Sequence, residues 1–463
     1  MEDFRNEDHQ FALSKFESML QLNKIYFFDS EEFEEIVYFY MDNGKMNLAN
    51  KAITLSLTQH PTSISLKLIK VELLIYEKKF KEAERMLFIL ENSDPTFDEI
   101  YIQKASIFSK NENHKEAIKQ LQKALLLTDD IADVNALLGM EYLFIEEFDL
   151  SRMCFYECLD FDIEDYAALY NIIYCFDMLD KNSEAVTFLL NYIEKNPYSE
   201  VAWHQLGKQY VALKSFNEAI RSYDYAILID ELFIGAYIEK AKVLEEIEDY
   251  KSAISNYMIA IELDDPTAYT YLQIGICYVK LKKPKLAIDF YKKAIDEDPM
   301  LDKAWLMLVN LYVDNDNPEK ASYVIKRALE IDPDNFYFLN RLAEINIRLN
   351  LFEEGAVAFQ KSLQLGDTRL ELFLALADVL HYIGDYDKAE TILLKADKIH
   401  PNTPEISYRL SGFCFLQKKN REGLFYLENG LKMNFFLLKI IEEFFPEMLQ
   451  NNEIIQLISK FQE

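Results

Sequence analysis

The chain has 463 residues, of which only 11 are glycine and 11 proline, against 50% hydrophobic and 14% aromatic residues, and its net charge is −30. So few chain-breakers exclude a turn-rich β-sandwich or barrel, a collagen and a Pro/Gly-rich disordered chain. The charge argues against nucleic acid and against an anionic membrane surface as partners, and no apolar run is long enough to span a bilayer. The start, MEDFRNEDHQ, is acidic and polar where a secretory signal would be basic and then apolar. Cys154, Cys158, Cys175, Cys277 and Cys414 form no CxxC pair. Reduced, buried thiols in a cytoplasmic protein are expected.

In chain order, Asp8 to Asn23 carry Phe11, Ala12, Phe16, Met19 and Leu22 as an apolar stripe. They read as a lone capping helix within residues 1–29. From Ser30 to Leu437 a 34-residue period runs without an inserted or deleted residue, in twelve repeats starting at 30, 64, 98, 132, 166, 200, 234, 268, 302, 336, 370 and 404. The repeat from Ala268 has Tyr271, Ile274, Gly275, Tyr278, Ala287, Tyr291, Ala294 and Pro299 at positions 4, 7, 8, 11, 20, 24, 27 and 32. The repeat from Glu200 answers with Trp203, Leu206, Gly207, Tyr210, Ala219, Tyr223 and Ala226, and that from Asp302 with Trp305, Leu308, Tyr312, Ala321, Ala328 and Pro333. Position 20 is Ala, Ser or Gly in all twelve. Residues 438–463 read as a degenerate thirteenth pair, with Ile441, Phe444 and Phe445 on its apolar face and Pro446 stopping or kinking its first helix.

This spacing resembles the tetratricopeptide repeat, W-x2-L-G-x2-Y…A-x3-F…P. The resemblance implies an all-α fold: two antiparallel helices per repeat, A and B, stacked as one α-solenoid. It further implies a right-handed superhelix whose concave groove is lined by A helices. The chemistry of each position agrees. Small residues at 8, 20 and 27 let helix backbones approach, and large ones at 4, 7, 11 and 24 fill the space between them. Pro at 32 suits a chain leaving helix B. Trp203 at position 4 is expected in the core, so Trp203→Ala should cost about 3–5 kcal/mol.

No catalytic constellation is present. Glycines never occur as G-x-G, HExxH and GxSxG are absent, and the six histidines are scattered. Asp264–Asp265 lie at a repeat end, where a solvated turn is expected. Asp314-Asn315-Asp316-Asn317 lacks the Gly and Glu of a calcium loop and falls at an A–B turn, with Pro318 opening helix B. Cys154 and Cys158, four apart, read as core thiols. Neither cofactor nor metal is expected, and the chain is not expected to be an enzyme.

What remains is the groove, which the resemblance places at positions 2, 5, 9, 12 and 13 of helix A. A carboxylate clamp for chaperone C-termini needs Lys at position 5, and no repeat has one there. Repeats four and five offer Met140, Leu143, Phe144, Tyr170, Tyr174 and Met178, residue types that dock a peptide or helix. Packing between neighbouring A helices would use the same residues. In repeat five, Ile173 at position 8 and Tyr192 at 27 are oversized and are expected to splay its helices and widen the groove. Repeats six to nine offer Lys208, Lys242, Lys280 and Lys303 against Glu245, Glu246 and Asp314. That locally non-acidic stretch would suit an acidic peptide, or is ordinary surface mixing. Gly235 and Gly412 also fall on groove positions, where a ligand backbone could approach. The expectation is a non-catalytic interaction scaffold or adaptor binding an extended peptide or helix of a protein partner. The alternative is a regulatory or substrate-recruiting subunit whose catalytic chain is separate.

Overall fold

The computed structural model describes residues 2–22, 25–264 and 267–461, with side chains from residue 12 onward. Asn23, Asp265, Pro266 and the side chain of Phe11 lie outside the described residues. Within them the chain forms 27 α-helices and two short 3-10 helices, and no strand. It packs as two compact halves, residues 1–236 and 237–463.

The first helices of the repeats begin at Ser30, Ile64, Asp98, Ile131, Tyr166, Glu200, Ile234, Ala268, Asp302, Phe336, Leu370 and Pro404. Eleven of these twelve starts coincide with the sequence register, and the fourth lies one residue early. Each A helix ends the same way. The N–H of position 16 donates to the carbonyl of position 11 at 2.8–3.0 Å in all twelve repeats, and position 15 between them is left-handed, with φ between 53 and 83°. This is the hydrogen-bond pattern of a Schellman turn. Only Gly44 and Gly384 are glycines there; the other ten are residues such as Lys78, Glu146, Lys214 and Asn350. Asp316 is one of them, so the calcium-like stretch is the same turn as in every other repeat.

Positions 8 and 24 of a repeat face each other and share one volume. A Cβ built on Gly139 would lie 2.7 Å from the Phe155 ring, and one on Gly275 would lie 2.5 Å from that of Tyr291. Where position 24 is aromatic (Phe155, Tyr223, Tyr257, Tyr291, Phe359), position 8 is Gly139, Gly207, Ala241, Gly275 or Ala343. Where it is aliphatic, position 8 grows to Val37, Val71, Ile173 or Val309, or holds Ala or Ser. Position 4 ties a repeat to its predecessor. Tyr101 Oη donates to Pro95 O at 3.0 Å, Trp203 Nε1 to Pro197 O at 3.1 Å and Trp305 Nε1 to Pro299 O at 3.0 Å. The position-32 proline thus turns the chain and also presents the acceptor.

Repeat five follows the same logic. Ile173 is buried opposite Leu189, and its A and B helices pack further apart than those of repeats four and six. Leu169 at position 4 has no donor, and Tyr192 Oη supplies it instead, reaching Ile163 O at 2.5 Å. Ile173 and Tyr192 are both buried in this spread.

At the chain's start Ala12, Phe16 and Met19 are buried with Phe28, Phe33 and Tyr40, whereas Leu22 is exposed, contrary to the expected stripe. After repeat twelve the chain forms Lys439–Phe444, stops before Pro446, continues as the 3-10 helix Pro446–Gln450 and ends in Asn452–Ser459. Ile441, Phe445, Met448, Ile454 and Ile458 join the core of the last repeats.

Candidate peptide-binding groove

The A helix of repeat four, Ile131–Phe144, starts on Asp130, whose side chain accepts from the Asp133 N–H. That of repeat five, Tyr166–Met178, starts on Asp165, which accepts from the Ala168 N–H. With both helices so fixed, Met140 and Phe144 form one i, i+4 stripe, and Tyr170, Tyr174 and Met178 a second. All five are exposed, Phe144 by 57% and Tyr174 by 49%. Leu143 differs: it is partly buried against the cluster that holds Ile172 and Ile173. Packing between helices therefore accounts for Leu143 and leaves the other five facing outward. Phe144 is held in place by stacking on His114, with ring centroids 4.7 Å apart, and His114 Nδ1 is 2.8 Å from Glu141 Oε2. Phe148 meets Tyr174 edge-on at 6.4 Å.

The lysines divide between the halves. Lys208 is an exposed residue of the first. In the second, Lys242 Nζ lies 2.8 Å from Glu239 Oε1 and 5.7 Å from the centre of the Tyr269 ring. Glu245 accepts from Tyr257 Oη at 2.5 Å, and burial pushes its carboxyl above the usual range. Lys280, Lys303, Glu246 and Asp314 are exposed. Lys242 and Glu245 are thus already engaged by neighbours, and Glu239, which lies off the groove columns, offsets one of the cations.

The two groove glycines sit against the chain's own side chains. A Cβ on Gly412 would run into the ring of Phe445, so this glycine seats the C-terminal segment and not a ligand. A Cβ on Gly235 would meet His204 Nε2 at 3.7 Å, an ordinary contact that needs no glycine.

Among the described residues one metal-like group occurs: Glu390, Cys414 and Glu422, with donor atoms within 4.8 Å of one another. Lys419 Nζ already sits 2.9 and 2.7 Å from the two Glu390 oxygens, and burial pushes the Cys414 thiol up to about 11. The group is an ion pair beside a neutral thiol. Cys154 and Cys158 are likewise pushed up to about 11 by burial, which suits core thiols and not nucleophiles. Sequence reasoning missed a row of carboxylates upstream, including Glu34, Glu72 and Glu99. The signal lay in the groove columns of repeats one to three, where five acidic residues stand with one lysine, whereas repeats four to nine mix apolar, basic and acidic ones.

Models of the tetratricopeptide repeat match residues 268–301, and residues 98–130, 302–335 and 370–403. Anaphase-promoting complex subunit 3 of Schizosaccharomyces pombe is 27% identical over 157 residues, covering 34% of this chain and 24% of that protein. The chain thus matches only about a quarter of that relative's length. Among solved structures, the hetero-tetramer Cut9-Hcn1 of the same complex aligns over 89% of this chain and 94% of its own at 14% identity, with a TM-score of 0.32. The C-terminal part of a TPR repeat-containing protein from Cytophaga hutchinsonii aligns over 51% and 97% at 16% identity, with a TM-score of 0.42. The four matched segments begin at residues 98, 268, 302 and 370, each the first residue of an A helix in the 34-residue register; the chain carries tetratricopeptide repeats.

Proposed function

We propose that this protein is a non-catalytic interaction scaffold that holds a peptide or helix of a protein partner on the A-helix face of repeats four and five. Residues 1–29 and 438–463 act as caps on the twelve repeats. One observation carries the reading: Met140, Phe144, Tyr170, Tyr174 and Met178 stay exposed at helical spacing while Val134, Leu138, Ile172, Ile173, Cys175 and Phe176 of the same helices are buried. Aromatic and methionine side chains displayed together serve as anchors for a partner. Their shape is fixed beforehand by the His114 stack and the Phe148 edge contact, which lowers the ordering cost of binding. The test is Phe144→Ala combined with Tyr174→Ala. Both side chains are half-exposed, so circular dichroism and thermal unfolding are expected to stay close to the parent while partner recovery in a pull-down drops. Unchanged recovery from a folded variant refutes the reading.

A second reading is a regulatory or substrate-recruiting subunit of a complex whose catalytic chain is separate, favoured by the similarity to a subunit of the anaphase-promoting complex. Co-purification of a catalytic partner at fixed stoichiometry selects it, and turnover by the isolated chain excludes both. Buried or half-buried cysteines and the charge of −30 support a reducing, cytoplasmic setting. Among the described residues no helix is long and apolar enough to cross a membrane.

A further inference from the structure

Resting on the proposed groove, we propose that the segment it holds is cationic as well as apolar, its Lys or Arg side chains meeting a carboxylate wall on the A helices of repeats one to three. In those repeats the groove columns place Glu31, Glu34, Asp42, Glu72 and Glu99, with Lys110 the one cation among them. Of these, Glu72 and Lys110 line one cavity. It measures about 350 Å³ and is lined also by Ile75, Tyr76, Ile102 and Leu137. It draws on the A helices of repeats two, three and four, so the columns do face one hollow in the first half. The walls are largely apolar, with Glu72 and Glu141 against Lys110 as the charged residues lining them.

Glu72 and Glu99 are met mainly by neutral hydrogen-bond donors and not by cations. Glu99 has a neutral hydrogen-bond partner, Gln103 Nε2 at 2.7 Å. Its carboxyl is pushed up by burial and further by Asp98 and Glu72. Glu72 is pushed up by burial, held down in part by the Tyr38 hydroxyl hydrogen bond and pushed up by Asp42, with Lys110 a smaller opposing influence. The Tyr38 hydroxyl, hydrogen-bonded to Glu72, is pushed up by burial and then by Glu72, Glu99 and Glu34, so these four groups occupy one neighbourhood. Half-buried like charges repel more strongly than solvated ones, because less water screens them. An incoming ammonium or guanidinium relieves that repulsion, whereas an acidic segment adds to it. Repeat four then continues the face with Met140 and Phe144, and repeat five with Tyr170, Tyr174 and Met178. A segment with apolar residues interleaved with Lys or Arg matches both stretches. An all-apolar segment leaves the carboxylates unmet, and an acidic segment or a second copy of this −30 chain is repelled.

The experiment uses two fluorescein-labelled amphipathic peptides, one of Leu and Lys and its twin of Leu and Glu, titrated with the full chain by fluorescence anisotropy. The Lys peptide is expected to bind and its Glu twin not. Glu34→Gln, Glu72→Gln and Glu99→Gln together should weaken the Lys peptide about tenfold, and raising salt should do the same. The control carries Glu84→Gln, Glu157→Gln and Glu218→Gln, which remove three exposed carboxylates from B helices of the same half. That control should bind within about twofold of the parent, since exposed charges beyond a Debye length are screened. Equal weakening by both triple variants shows nonspecific attraction to a polyanion and overturns the proposal, as does tight binding of the Glu twin. Should Phe144→Ala with Tyr174→Ala weaken binding while the Glu34/Glu72/Glu99 variant does not, the groove reading stands and the cationic partner is refuted. Should the aromatic pair have no effect on either peptide, the groove reading fails and this inference with it.

Discussion

The shared volume of positions 8 and 24 is testable at Gly275. An alanine Cβ there would sit 2.5 Å from Tyr291 Cδ1 and Cε1, and the Tyr291 ring is only 2% exposed. Ordinary carbon contacts lie near 3.5–4.0 Å, so ring or helix must move by about 1 Å. Overpacking of this kind costs about 1–3 kcal/mol, and replacing a mid-helix glycine by alanine returns about 1 kcal/mol. Gly275→Ala should therefore destabilise by up to about 2 kcal/mol. Tyr291→Leu alone leaves a cavity and should cost about 2–3 kcal/mol. The double variant recreates the pair that occurs naturally as Ala105 with Leu121 and as Ala377 with Leu393. Its cost should fall short of the sum of the single variants by at least about 1 kcal/mol. Repeat arrays need not unfold as one unit, so the measurement is hydrogen exchange of amides in Ala268–Lys280 and Pro284–Glu297, alongside urea midpoints. Additivity within about 0.5 kcal/mol would refute the shared-volume argument.

Other expectations rest on separate features. At position 15, Lys214 has φ 58; Lys214→Val should cost about 1–2 kcal/mol in urea unfolding, while Lys214→Gly should be neutral or mildly stabilising. Asp367 is buried and accepts from Arg369 Nε at 3.0 Å, Arg369 Nη2 at 2.7 Å and Asn340 Nδ2 at 2.7 Å. The Arg369 hydrogen bond is the strongest influence on its carboxyl and holds it down at about 2. A depressed folded pKa means its stabilisation is complete above about pH 4 and is lost as pH falls toward 2, so Asp367→Asn should cost about 2 kcal/mol near neutral pH and little in acid. Trp305 is 3% exposed, whereas Trp203 is half-covered by stacking on Tyr225 at 4.4 Å. Trp305→Ala should therefore cost about 3–5 kcal/mol and Trp203→Ala about 2–3, less than its position alone implied; equal losses in thermal unfolding would refute the distinction.

Much of the fold was legible because each repeat position meets the same neighbour in every repeat. Position 20 must be small wherever two helices cross closely, so one column of Ala, Ser and Gly reports the whole architecture. The left-handed turn at position 15 left almost no trace. Ten of its twelve occupants are not glycine, because two backbone hydrogen bonds and the packed helices on either side impose the conformation whatever the side chain. The 8–24 rule was present but invisible in single columns; it exists only as a correlation between two of them.

What escaped entirely came from residues that break the period. Gly412 sits on a groove column, and its reason is Phe445, from a segment outside the repeats. Asp367 stands where six other repeats have proline, and its partners Arg369 and Asn340 have no equivalents elsewhere. The candidate site divides along the same line. Met140, Phe144, Tyr170, Tyr174 and Met178 were found because apolar side chains on a groove column conflict with the repeat's own packing rule. Glu72 and Glu99 conflict with nothing in a column of a surface helix. Only their nearness across three helices makes them unusual, and nearness between repeats is what a one-dimensional period does not encode. A repeat sequence therefore shows where a surface is apolar more readily than what charge its partner must carry, and for this chain the second question is decided by Glu34, Glu72 and Glu99 together and by none of them alone.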